Sequence, residues 1–261
     1  MNTLSRFRVA VLGLLLVPLG AIACGDDDEP SEEDLREVEE IAQTVFESDG
    51  SNADYVFEHV TDNIIETVFF STREECIASP VECIGEPAAI VSISGTEIDG
   101  DSASTNVVAD FLGPFRMDLV REDGTWKADA LLADSDEVPE GATIVDLALA
   151  EFSFDFDPGQ IPAGGNFAFR TDNVGAQTHE VVLVGIPEGA TLEEALEAVA
   201  SEEAPPLGLK VFIRPGQDDV DVAFEVLQPG KYALVCFFPD TDDPEFTSHI
   251  DKGMLAEFEV Q

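Results

Sequence analysis

Lys231-Tyr-Ala-Leu-Val-Cys236-Phe-Phe-Pro-Asp-Thr-Asp-Asp-Pro-Glu-Phe-Thr-Ser-His249-Ile-Asp-Lys-Gly-Met254 is the stretch around which the rest of the chain can be ordered. An apolar, strand-like run ends at Cys236. Twelve residues separate Cys236 from His249, and four more separate His249 from Met254. Upstream, His179 lies in a second strand-like run, Thr178-His-Glu-Val-Val-Leu-Val184. One thiolate, two imidazoles and a thioether are together the donor set of a mononuclear blue copper site, in which the thioether is a weak axial ligand.

Residue usage supports that grouping. Between positions 143 and 261 there is one cysteine, one methionine and two histidines, and all four stand at these positions. The chain has four cysteines. Cys76 and Cys83, with six residues between them, suit a small-loop disulfide in an oxidising compartment. Cys24 belongs to the N-terminal leader. That leaves Cys236 as the odd thiol, and ligation of a metal accounts for it; the alternative is a buried, inert thiol.

Residues 1–23 read as a signal peptide. Arg6 and Arg8 precede an apolar run from Val9 to Leu19, too short to span a bilayer. Cys24, followed by Gly-Asp-Asp-Asp-Glu-Pro, resembles the start of a bacterial lipoprotein, in which that cysteine is lipidated. Ala21 departs from the larger aliphatic residue more usual there, and a soluble secreted protein is the alternative. Residues 24–31 form an acidic tether. The formal charge of −43 comes with no basic cluster, which argues against nucleic-acid binding. It also predicts repulsion from anionic headgroups, so the lipid on Cys24 would be the membrane attachment. The acidity itself suits solubility, or steering towards a basic partner.

The remainder divides in two. Residues 32–133 predict an α+β domain. Ser31-Glu-Glu-Asp34 reads as a helix start, and Leu35, Val38, Ile41, Ala42, Val45 and Phe46 follow at helical spacing. Shorter helices are predicted over 53–59 and 62–70, with the Cys76–Cys83 segment as an interrupting loop. After Pro87 the period changes to two, and Asp99-Gly100, Gly113-Pro114 and Asp123-Gly124 mark the turns of an antiparallel meander. This layout resembles the cone-shaped nuclear-transport-factor-2-like superfamily, which includes enzymes and binding modules alike. Asp54, Tyr55, His59 and Asp62 are its polar candidates, with His59 a possible base in a pocket and a plain helix surface the simpler reading. Residues 134–142, rich in acids with Pro139 and Gly141, predict a linker. Residues 143–261 predict an all-β Greek-key sandwich with one helical insertion capped by Thr191.

From Phe152 to Gln261 the chain resembles the cupredoxins, the plastocyanin and azurin family. Phe156-Asp-Pro-Gly-Gln-Ile-Pro-Ala-Gly, Asn173-Val-Gly-Ala-Gln-Thr-His-Glu-Val-Val-Leu, Gln228-Pro-Gly-Lys-Tyr-Ala-Leu-Val-Cys and His249-Ile-Asp-Lys-Gly-Met carry the resemblance. It implies one type 1 copper held by His179, Cys236, His249 and Met254, and one-electron exchange with a redox partner protein through an edge of His249 near the surface. Phe237, Phe238, Pro239, Phe246 and Ile250 would shield the metal and form an apolar rim. Glu180 stands where well-known members often carry asparagine. That departure puts the side-chain hydrogen bond to the cysteine loop in question, and the added carboxylate would lower the potential. A copper-binding or buffering protein, or a ligand-binding lipoprotein without redox turnover, is the second reading. A multicopper enzyme is disfavoured, because only His59 is left for further centres; the chain reads as a carrier or binding protein rather than an enzyme, with an activity of the first domain left open though no motif marks one.

Overall fold

The computed structural model describes residues 30–110, 112–201 and 203–261. The signal peptide, Cys24 and most of the acidic tether lie outside the described residues. No described helix is long and apolar enough to cross a membrane.

Helix α1 (Glu32–Glu47) begins where the Ser31 hydroxyl accepts the Asp34 N–H, and it buries Val38, Ile41, Ala42 and Phe46 along one stripe. Short helices α2 (Ala53–Glu58) and α3 (Asp62–Thr67) follow. The Cys76–Cys83 segment is helical rather than a loop. Cys76 lies in α4 (Arg73–Ala78) and Cys83 in α5 (Pro80–Ile84), and the two are disulfide-bonded. The local reasons are a reciprocal cap between Thr72 and Glu75 and a proline in the first turn of α5. These helices cover an antiparallel meander of β1 (Ile90–Asp99), β2 (Ser102–Ala109), β3 (Gly113–Glu122) and β4 (Thr125–Ala133), in that spatial order. Alternating residues such as Val107, Phe115, Met117, Leu119 and Trp126 fill the space between sheet and helices.

The second half consists of two four-stranded sheets. One runs β10-β7-β5-β6, where β5 is Thr143–Ala150, β6 Ser153–Phe156, β7 Phe167–Asn173 and β10 Val220–Phe224, with β5 and β7 parallel. The other runs β12-β11-β8-β9, all antiparallel, where β8 is His179–Ile186, β9 Gly208–Ile213, β11 Gly230–Val235 and β12 Leu255–Val260. Side chains of both sheets, among them Leu147, Phe169, Leu183, Val222 and Leu234, form one core. Central strand β8 is buried almost throughout because β11 and β9 flank it. Helix α6 (Leu192–Ala200), capped by Thr191, covers the outer face of that sheet with Ala195, Leu192 and Val199.

The two halves pack against each other. Residues 134–142 carry no helix or strand, yet Asp136 is pinned. Its carboxylate accepts from Lys210 Nζ at 2.8 Å and from the Ala223 N–H at 3.0 Å. Lys210 is fully buried, and burial lowers its pKa against the opposing pull of Asp136. Arg214 donates to Leu131 O at 2.7 Å and to Thr67 Oγ1 at 2.9 Å. Between the pairs His179↔Ile213 and Val181↔Lys210, β9 carries the extra residues of a bulge opposite Glu180. Phe212 sits in that bulge with φ 58°, a left-handed conformation that costs a non-glycine residue about 1–3 kcal/mol. Its ring contacts Phe115 of the first half and Phe238 of the cysteine loop, at centroid distances of 6.1 and 5.4 Å.

Candidate metal centre

Three elements bring the donors together. His179 is the first residue of β8, and Cys236 directly follows β11, the strand paired with it. The twelve-residue loop then folds back on itself. Asp240 N–H donates to Thr247 O at 2.9 Å and His249 N–H to Phe238 O at 2.7 Å, which returns the chain to the cysteine. A turn closes the four-residue gap: Met254 N–H donates to His249 O at 2.8 Å, and Met254 O accepts from Cys236 N–H at 3.3 Å.

The result is a cluster of His179, Cys236 and His249, whose donor atoms lie within 4.8 Å of one another. The two Nδ1 atoms are 3.2 Å apart, and Cys236 Sγ is 3.4 Å from His249 Nδ1. All three residues and Met254 are buried to 0% exposure. Burial, reinforced by the neighbouring His249, lowers the pKa of His179 to about 4, and burial lowers that of His249 too, so both imidazoles are neutral with lone pairs to offer. Burial and Glu180 push the Cys236 thiol up. Ionising it there requires a compensating cation, which a metal supplies as it displaces the proton. His179 Nε2 is buried without a hydrogen bond, its nearest carboxylate being Glu151 Oε1 at 3.4 Å. Two imidazole nitrogens facing each other and a thiol, in a dry pocket, are a poor hydrogen-bonded set and a good ligand set for a borderline-soft ion.

The surroundings correct two expectations. Glu180 retains the bond to the cysteine loop: its Oε1 accepts the Phe237 N–H at 2.6 Å, while its own N–H points at Cys236 Sγ at 3.4 Å. The carboxylate reaches one methylene further than asparagine. Burial raises its pKa to about 7, against the Phe237 bond. Second, no edge of the His249 ring is at the surface. Its Nε2 is 3.2 Å from Gln177 Oε1, and the Phe152 ring packs against it at a centroid distance of 5.0 Å, tilted by 59°. The apolar residues of the loop divide accordingly. Phe238 turns inward to Phe70 and Phe212, whereas Phe237 and Phe246 are exposed at 39% and 50%.

Glu151 and Gln177 are partners that sequence reasoning missed. Glu151 Oε1 accepts the N–H groups of Ala176 and Gln177 at 2.7 and 2.8 Å. Burial works against its ionisation, but these two bonds outweigh it and hold the carboxyl below its ordinary range. Gly175 is required beside it, because a Cβ there would lie 2.5 Å from Glu151 Oε1. Gln177 lies in a bend before β8, so no strand period marks it as facing a histidine.

His59 is elsewhere. Its Nδ1 donates to Tyr55 O at 2.8 Å and its ring stacks on Tyr55 at 4.0 Å, so it is satisfied at the end of α2. Asp62 pairs with Arg73 at 2.5 Å. These contacts are local to the helices and assemble no reactive pair.

A β-sandwich that seats two imidazoles and a thiol together in its core has the architecture of a metal-binding protein. No family model matches the chain, and no curated protein matches it. Among solved structures it is similar to the dithionite-reduced auracyanin of Roseiflexus castenholzii, at 22% identity over 46% of this chain and 99% of that one, with a TM-score of 0.32. It is similar also to auracyanin B, at 18% identity over 50% and 98% with a TM-score of 0.34. Auracyanin A, a "blue" copper protein from Chloroflexus aurantiacus, shows 19% identity over 46% and 100% with a TM-score of 0.29.

Proposed function

We propose that the protein is a cupredoxin-type one-electron carrier in which His179, Cys236, His249 and Met254 would hold a single copper ion. The observation that carries this reading is the convergence of two Nδ1 atoms and one Sγ within 4.8 Å in a fully buried pocket. Copper there would supply a redox couple, with a potential set by the donor set and the hydrogen bonding around the sulfur. This chain's own residues fix that surrounding. Glu180 N–H donates towards the sulfur, Glu180 Oε1 anchors the following residue, and Glu151 and Gln177 face the outer nitrogens of the two rings.

Burial of every donor favours a carrier over a buffer, since a buffer must release its ion readily. We further propose that the protein is exported, with Cys24 as a lipid anchor at the outer face of the cell membrane, and that it meets a redox partner protein there. The first half, laid out like a nuclear-transport-factor-2-like domain, serves in this reading as a rigid mount for the copper half.

The test is to add Cu(II) to the metal-free full chain and record the visible spectrum. An intense charge-transfer band near the red end, lost in Cys236→Ser, is expected. A colourless complex or no binding would overturn the reading. Reversible reduction with retention of the ion separates a carrier from a buffer.

A further inference from the structure

The amide of Gln177 is fixed at both ends. Its nitrogen donates to Asp240 Oδ1 at 2.7 Å, and its oxygen accepts the Thr241 N–H at 3.1 Å. A carboxylate only accepts and a backbone N–H only donates, so the amide has one possible orientation, with Oε1 towards His249. Asp240 is itself held by Lys252 Nζ at 2.5 Å, and Lys252 is held again by Asp243 at 2.7 Å. The chain Lys252–Asp240–Gln177 therefore ends in an acceptor 3.2 Å from His249 Nε2. An acceptor there places the imidazole proton on Nε2, which leaves Nδ1 bare on the side of Cys236 and His179.

The same side chain separates the ring from solvent. A cleft of about 220 Å³ runs between the two halves, lined by Thr67, Phe70, Gln177, Arg214, Pro239 and Thr241. Gln177 is 8% exposed on that side and touches His249 on the other.

We propose that Gln177 is a positioning residue with two effects on His249: it sets the Nε2–H tautomer that makes Nδ1 a ligand, and it closes the imidazole edge off from the interdomain cleft. The second effect rests on the copper reading; the first does not. Loss of a partner to a ligating histidine typically costs 10–100-fold in metal affinity.

The experiment uses the full chain in two forms, wild type and Gln177→Ala. In the metal-free wild type, ¹⁵N NMR of the imidazoles is expected to show His249 as the Nε2–H tautomer; an Nδ1–H tautomer would overturn the proposal without any variant. In Gln177→Ala, copper loaded to the same absorption band is expected to pass to a chelator about 10–100-fold faster. Equal transfer rates in wild type and Gln177→Ala, both showing the band, would overturn the closing role while leaving the copper reading standing. Absence of the band in wild type would instead remove the copper reading, and the tautomer would remain to be judged by NMR alone.

Discussion

Each half of the molecule contains histidine in a setting that a sequence search would flag, and the two settings differ in range. His59 of the first half bonds a carbonyl four residues back and stacks on the same residue, Tyr55. His179 and His249 are 70 residues apart and face each other across a shared pocket. His59 keeps its Nε2 lone pair, but no second donor from another element faces it. His179 and His249 share a buried pocket with a thiol, so three donors could act on one ion. Convergence over long sequence distance, rather than residue type, separates the two.

The contrast breaks most completely at Cys236. Copper at a thousandfold excess over Kd should stabilise the full chain by about 4 kcal/mol, and Cys236→Ser should lose that gain. Calorimetry with and without copper measures it; a gain that survives in Cys236→Ser would mean that the sulfur is no ligand. His59→Ala should keep the whole gain.

The joint between the halves gives the next effect. Asp136→Ala leaves the Lys210 ammonium buried without its carboxylate, and stability should fall by about 3–5 kcal/mol. Lys210→Met combined with Asp136→Asn removes both charges, keeps an acceptor for the Ala223 N–H, and should be neutral or stabilising. Denaturant titration of both variants decides whether the halves are held by the charge pair or by the surrounding rings. Equal losses in the two would point to shape and sink the unpaired-charge account.

Much of the centre was legible because its residue types are rare and its spacing is set by strands. Cys236 ends a strand, Met254 precedes the next, and the fold needs only hydrogen bonds already implied by that pattern to bring them together. The burial of His249 was not legible. It depends on Gln177, which is 72 residues away, and on Phe152 beyond the other sheet's turn; no local period encodes such contacts. Glu180 was legible as a departure but not as a compensation, because only the structure shows its longer side chain reaching the Phe237 N–H. In the first half the helical stripe and the meander turns were plain, whereas α4 and α5 were hidden by their brevity and depend on one cap and one proline. The buried Lys210 was hidden for another reason: a lysine in a strongly acidic chain reads as surface until its partner is known.

The acidic loop supplies the smallest and most specific test. Asp240 stands in a loop dense with acids, yet it is 5% exposed and its carboxyl is lowered to about 2, first by the bond from Lys252 and then by that from Gln177. A carboxyl whose folded pKa lies below its ordinary 3.8 contributes stability that is fully present above that value and is lost as the pH falls towards about 2. Metal-free wild type should therefore lose Tm between pH 4 and 2 more steeply than Asp240→Asn, which has already given up the Lys252 pair. The metal-free form is the one to use, because protonation of the ligands would otherwise dominate the same range. Parallel acid limbs for the two proteins would mean that Asp240 titrates as freely as a solvated carboxylate, and the chain of contacts from Lys252 to His249 would lose its anchor. A shallower limb in the variant would show that the loop's acidity is spent inward, on holding a histidine, and not only outward on a partner.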